Sequence, residues 1–290
     1  MSLVETFEVG RLRCHLLDAG TLRLDGGAMF GVVPRPLWER RAPPDDRNRI
    51  ELAMRTLLVE HDEGPVLVDT GLGNKESEKF RSIYGVDNGS KVGATRLDDA
   101  LAEAGISAGD IRWVINTHLH FDHAGGNTVL REGEDVPVPA FEGATYVVQR
   151  AELAFATHPN ERTAGSYLPH NFEPVTAAGR WRLLDGVETI VPGLSSLPTP
   201  GHTPAHQSVL VRDGGDTLCF VADLIPTTAH LPLAWIMGYD LEPMVTLANK
   251  KALLNRAVEE GWTLAFEHDP RIGRARVEAG EKGVRLVESA

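Results

Sequence analysis

Apolar and polar residues alternate along several short stretches of this chain, and a period of two predicts strands rather than helices. Over Arg11 to Asp18, Leu12, Cys14 and Leu16 alternate with polar neighbours. Ile50 to His61 and Pro65 to Thr70 read as two strands joined by the turn Asp62-Glu63-Gly64. Ile111 to Asn116 has the character of a buried strand, and Thr145 to Gln149, Trp181 to Leu184, Thr189 to Val191 and Leu194 to Leu197 are shorter ones. Gln207 to Val211 and Thr217 to Ala222 form a hairpin across Asp213-Gly214-Gly215, and Trp262 to Phe266 is a last buried strand. Helices are predicted over Thr95 to Ala104, with Thr95 as N-cap and Asp98 three residues on, and over Arg150 to Thr157. The clearest helix is Pro243 to Glu260, with Met244, Leu247, Ala248, Leu254 and Val258 along one stripe and Gly261 as its stop.

Two stretches break these patterns. Ala19 to about Asn48 carries Gly26-Gly27, Pro34, Pro36 and Pro43-Pro44, yet holds Met29, Phe30, Val32, Val33, Leu37 and Trp38. Loops of this length tend to be lids or binding elements, and the stretch reads equally as a packed flap or a dimer contact. Pro159 to about Ala178 is a second, turn-rich rim loop. No repeat, low-complexity tract or linker interrupts the chain, so residues 1–290 are expected to form one α/β domain.

Hydrophobic residues make up 42% and charged residues 24%, ordinary for a soluble globular protein. The balance of 29 basic against 41 acidic residues, net charge -12, disfavours nucleic acid or anionic membrane as partner. Cys14 and Cys219 lie in apolar runs and read as buried free thiols. No basic-then-apolar leader and no long apolar span are visible, which makes the cytoplasm the expected compartment.

The chemistry concentrates in Thr117-His118-Leu119-His120-Phe121-Asp122-His123-Ala124-Gly125-Gly126. Directly after a strand, residues two apart point the same way, so His118 and His120 can grip one metal. Asp122 and His123 follow a turn and face a neighbouring point. Imidazole nitrogen and carboxylate oxygen suit a borderline divalent ion such as zinc. A chance match to this pattern is on the order of one in a thousand. Asp69, His202, Asp223 and His268 sit where other strands end, the edge on which open sheets place their sites.

In that order (Asp69, then His118-x-His120-x-Asp122-His123, then His202, Asp223 and His268) the chain resembles the metallo-β-lactamase superfamily of hydrolases. The resemblance implies an αββα sandwich and a dinuclear centre. By position, His118, His120 and His202 would hold the first metal and Asp122, His123 and His268 the second. Asp223 would bridge the two, and Asp69 would orient ligands by accepting imidazole N–H bonds. Two zinc ions per chain are implied, with Mn, Fe or Co suited to similar donors. Such a pair ionises water near neutral pH, and Asp122 is the expected catalytic proton shuttle.

Thr199 to Ser208 resembles the third motif of the N-acyl homoserine lactonases and related organophosphate hydrolases. Those lactonases place a tyrosine three residues after the bridging aspartate, where this chain has Pro226. Tyr167, His170 or His230 would then supply the polar contact, Met29, Phe30 and Trp38 would line an apolar pocket, and His206 would be structural. A small ester or lactone is the expected substrate. The rivals are a phosphotriester and a thioester of the hydroxyacylglutathione type, for which Asn249-Lys250-Lys251 is the basic patch. A persulfide dioxygenase using iron and a non-catalytic ligand-sensing protein stay open. No nucleic-acid or membrane partner is expected, and self-association as a homodimer is left open.

Overall fold

The computed structural model describes residues 2–281 and 283–287. Two seven-stranded sheets face each other. The first runs in the order Val4–Val9, Leu12–Asp25, Arg49–Glu60, Val66–Val68, Trp113–Ile115, Thr145–Gln149 and Trp181–Leu184. The second runs Thr189–Val191, Leu194–Pro198, Gln207–Asp213, Asp216–Phe220, Thr263–Ala265, Arg274–Gly280 and Gly283–Val287.

The period-two pattern explains the layering. Leu57, Val59, Val66, Val68, Ile115 and Val147 point inward and meet Val209, Val211, Leu218 and Phe220 of the other sheet. Their in-between neighbours point outward. Leu58, Leu67, Val114 and Tyr146 pack under Leu97, Ala100 and Leu101 of the helix Arg96–Glu103. Leu210, Cys219 and Leu264 pack under Leu253, Leu254 and Ala257 of the helix Pro243–Glu260. Helix, sheet, sheet and helix are thus stacked as expected of an αββα sandwich, and the capping box between Thr95 and Asp98 is formed.

Four expectations need correction. The stretch from Ala19 is not irregular at first: the strand continues to Asp25 after a register shift between Asp18 and Thr21. Gly20 sits at the shift with φ +115°, where a Cβ would lie 2.5 Å from the Asp87 carbonyl oxygen. Beyond Asp25 the chain folds into the short helices Gly26–Phe30 and Arg35–Trp38. The rim loop likewise contains a 3-10 turn, Pro169–Asn171, and a helix, Glu173–Ala177.

The third correction concerns Pro243–Glu260, which buries Thr246, Lys250, Leu253, Leu254 and Ala257, whereas Met244 is 71% exposed. Lys250 can face inward because its Nζ donates to the carbonyls of Pro232 (2.9 Å) and Trp235 (2.8 Å). Finally, Val4–Val9, Arg274–Gly280 and Gly283–Val287 are strands the apolar pattern did not reveal. All three lie at or next to a sheet edge, where few positions need be apolar. Among the described residues no helix is long and apolar enough to cross a membrane.

Candidate metal centre

Val66–Val68, Trp113–Ile115 and Thr145–Gln149 are parallel neighbours, as are Asp216–Phe220 and Thr263–Ala265. Parallel strands end on one side, so Asp69 and the Thr117–His120 segment leave the first sheet together. Asp223 and His268 leave the second sheet in the same way. Backbone bonds sew the two ends into one seam: Gln207 N–H to Thr117 O (3.0 Å), Ala53 N–H to His268 O (3.1 Å) and Arg55 N–H to Glu267 O (3.2 Å).

Within the seam His118 Nε2 and His202 Nε2 each lie 3.1 Å from His120 Nδ1. His123 Nε2 lies 3.2 Å from His268 Nε2. Between the two groups stands Asp223. One of its oxygens is 3.0 Å from His202 Nε2 and 4.0 Å from His118 Nε2. The other is 3.1 Å from His268 Nε2 and 3.6 Å from His123 Nε2. Asp122 closes the second group, 3.8 Å from His268 Nε2 and 3.9 Å from His123 Nε2. The seven residues singled out by spacing therefore converge, and their donor atoms form clusters able to hold metal ions.

The far ring nitrogens show which way the lone pairs point. His268 Nδ1 donates to the Ala53 carbonyl at 2.7 Å, and His202 Nδ1 donates to Asp240 at 2.9 Å. His123 Nδ1 faces Asp69 (3.2 Å) and Glu267 (3.1 Å). With the proton held on that side, each Nε2 presents a bare lone pair to its neighbours. At His123 and His268 such lone pairs meet at 3.2 Å and repel unless a proton or a metal cation lies between them. Asp223 Oδ1 is also buried with no hydrogen bond, a costly state for a carboxylate oxygen without a cation. The donor set thus fits divalent ions of the borderline class.

Charge tells the same story. Burial and neighbouring imidazoles push His118 and His120 well below their ordinary range. Burial, the largest single influence, opposes charge on His202 and His268, but Asp223 with Asp240 at His202, and Asp223 with Glu267 at His268, together outweigh it and move both up, His268 to about 9. His123 is raised against burial by Glu267, Asp122 and Asp223. The cluster demands positive charge, which protons or divalent cations can supply.

Asp69 is fully buried at φ +55°, a conformation uncommon outside glycine but tolerated by Asp. It accepts from the Thr117 backbone N–H (2.8 Å) and hydroxyl (2.6 Å), fixing the loop that carries His118. His206 donates from Nδ1 toward Thr199 and accepts the Asp223 backbone N–H at 3.2 Å, consistent with a neutral ring whose pKa burial takes to about 3. Gly125 and Gly126 press against backbone: added Cβ atoms would lie 2.0 Å from Leu72 O and 2.2 Å from Thr70 O.

Three supporting residues were not found from sequence. Glu152 is fully buried, and its Oε1 accepts from Leu119 N–H (3.1 Å) and the Tyr167 hydroxyl (2.9 Å) while Oε2 accepts from the Thr203 hydroxyl (2.6 Å). It joins the His118–His120 loop to the His202 loop. Asp240 orients His202, as described above. Glu267, with burial and then the nearby Asp69 charge holding it up at about 8 against the His123 attraction, backs His123. Only Glu267 gave a local signal, a carboxylate ending the apolar run Leu264-Ala265-Phe266.

A cavity of about 410 Å³ opens onto the cluster. His120, Asp122, His202, Asp223 and His268 form its floor, with Leu24, Met29, Leu52, Phe121 and Met237 as apolar walls and Tyr84, Tyr239 and Arg162 toward the solvent. Of the six substrate-contact expectations, Met29 alone lies among these lining residues. Phe30 and Trp38 are buried in a stack with His230, at ring-centroid distances of 5.2 and 4.6 Å from Phe30. His230 bonds Thr227 (2.8 Å) and the Met29 carbonyl (2.9 Å). Tyr167 is buried on Glu152 behind His120, and His170 bonds Glu76 at 2.7 Å outside the cavity wall. Pro226 accepts the His268 N–H at 3.1 Å, so that position holds backbone.

The sequence matches the family described as Metallo-beta-lactamase superfamily over residues 55–268. An N-acyl homoserine lactonase of Bacillus sp is 31% identical over 234 residues, covering 76% of this chain and 82% of the relative. A crystal structure described as a probable metal-dependent hydrolase from Staphylococcus aureus superposes with TM-score 0.87 at 30% identity, covering 98% of this chain and all of that one. AidC, described as a dizinc quorum-quenching lactonase in complex with a product, shares the fold with TM-score 0.81 at 20% identity over the whole of this chain and 98% of its own. Fold, site and sequence agree: the chain belongs to the metallo-β-lactamase superfamily and stands there among relatives named as hydrolases.

Proposed function

We propose that the protein is a dinuclear metal-dependent hydrolase that opens a small lactone or ester. His118, His120 and His202 hold one ion, Asp122, His123 and His268 the other, and Asp223 both, zinc being the native metal. The observation that carries the reading is the convergence of bare imidazole nitrogens on a hydrogen-bond-free Asp223 oxygen at the floor of an apolar cavity. When bound, the metal pair supplies ionised water near neutral pH and an electrophilic contact for a carbonyl oxygen.

The chain's own groups do the rest. Asp122 lines the cavity, and among the described residues its side chain accepts no hydrogen bond, so the carboxylate oxygen not spent on the metal can carry a proton to the leaving oxygen. Leu24, Met29, Leu52 and Met237 exclude water from the acyl portion. Asp240 and Asp69 keep the rings of His202 and His123 aimed inward. The lactone reading draws support from the relatives so named. Thioester hydrolysis of the glutathione type keeps only Lys251 of its basic stretch, since Lys250 is buried on two carbonyls.

Zinc-reconstituted protein is expected to hold about two zinc per chain and to hydrolyse lactones or aryl esters. Chelation should abolish turnover and zinc should restore it. His120→Ala and Asp223→Ala should lose both metal and activity. Either variant keeping near-normal metal content and rate would refute the ligand assignment.

A further inference from the structure

Arg162 stands at the mouth of the cavity with most of its hydrogen-bonding capacity unused. Its Nη2 donates to the Gly238 carbonyl at 3.0 Å, which leaves the other guanidinium N–H groups without an acceptor among the described residues. Arg11, Arg49, Arg96 and Arg150 each hold a carboxylate at 2.7–3.0 Å. On a chain of net charge -12, no described carboxylate lies within 4 Å of Arg162.

Its placement is built rather than incidental. Asn160 Oδ1 accepts the backbone N–H groups of Arg162 (3.0 Å) and Thr163 (3.2 Å). The same segment is anchored to the site, because Ser166 O accepts the N–H of Phe121, next to Asp122, at 3.0 Å. On the opposite wall Gly238 donates its N–H to Ala28 O at 2.8 Å. One guanidinium N–H therefore ties the 160–166 segment to the Gly238 segment, and Arg162 lines the same cavity as the apolar Leu24, Met29, Leu52 and Met237. An unpaired guanidinium at such a place recognises a planar anion, and carboxylate matches its fork.

We propose that Arg162 selects substrates bearing a carboxylate distal to the scissile ester or lactone, so that the acyl chain lies on Leu52, Met29 and Met237 between two polar ends. This rests on the hydrolase reading of the floor. Arg162 is a specificity residue and touches no reacting atom.

The test compares mono-4-nitrophenyl esters of succinic, glutaric and adipic acids with neutral esters of the same chain lengths, on zinc-loaded protein. Arg162 is exposed at the rim, so about 2- to 5-fold in kcat/KM is expected in favour of the acid at the length that fits, the size of effect an exposed ion pair of up to about 1 kcal/mol gives. Arg162→Met should erase that preference through KM, read as the acid-to-neutral ratio within each variant, and Arg162→Lys should restore part of it. A purely structural role would slow both series alike. An acid-to-neutral ratio that is the same in wild type and Arg162→Met at every length overturns the proposal and leaves the hydrolase reading intact.

Calorimetric binding of the unreactive propylamide of glutaric acid, against neutral N-propylpentanamide, separates the two claims. Arg162-dependent binding of the acid with no turnover of any ester supports anion selection and defeats ester hydrolysis. Equal binding of both amides overturns anion selection.

Discussion

Glu152 offers the sharpest check on how the centre is held. Replacing it with alanine removes the acceptor for three buried donors, Leu119 N–H, Tyr167 O–H and Thr203 O–H. Each buried donor left without a partner costs about 1–3 kcal/mol. The two hydroxyls can rotate toward other oxygens, whereas the Leu119 amide is fixed in the loop between His118 and His120. Glu152→Ala is therefore expected to lose about 3–5 kcal/mol, a large share of the 5–15 kcal/mol typical of a folded protein. Glu152→Gln keeps the shape and an acceptor oxygen toward Leu119 and Tyr167, and the Thr203 hydroxyl can turn to accept the new amide. It also removes a carboxyl that burial pushes above its ordinary range, so its loss should be about 1 kcal/mol. Urea unfolding of the chelated proteins measures both values, and zinc content after reconstitution measures the consequence for the ligands. If Glu152→Ala unfolds within about 1 kcal/mol of wild type and binds zinc fully, Glu152 does not hold the two loops together.

Gly126→Ala should destabilise by about 2–3 kcal/mol and reduce zinc content, because its Cβ would overlap the Thr70 carbonyl, which no rotamer change can move; an unchanged Tm would contradict this. Burial holds the Lys250 ammonium down at about 7 against an ordinary 10.5. The unfolded chain thus carries more protons between these values, and stability should rise with pH by up to about 1.4 kcal/mol per unit. Lys250→Met should flatten the rise between about pH 7.5 and 9.5 in paired urea titrations, and parallel curves would show that Lys250 stays protonated.

Legibility from sequence followed how local the cause was. Val66-Leu67-Val68 and Val209-Leu210-Val211 were readable as strands but not by face: adjacent residues pack on opposite sides of a sheet covered on both, so every position is apolar. His118, His120, Asp122 and His123 were readable from their spacing, and Asp223 and His268 from their position at strand ends. Glu152 and Asp240 were not, since each matters only through partners 15 or more residues away. Phe30, Trp38 and His230 misled for the opposite reason. Large aromatic residues in an apparent loop suggest a pocket lining, but here the loop folds into helices that bury them against one another. The cavity wall is assembled from Leu24, Leu52, Phe121 and Met237, four distant segments with no shared pattern.

The imidazole and carboxylate floor is attached to strand termini, while the rim belongs to the connecting stretches around Ala28, Arg162 and Gly238. Reactivity and selectivity are therefore anchored in different parts of the molecule. Exchanging the 159–166 or 237–241 stretches, with Asp240 kept, can retune which molecule is accepted without disturbing the machinery that breaks the bond. Such a division lets a lineage diversify its diet by editing the doorway alone.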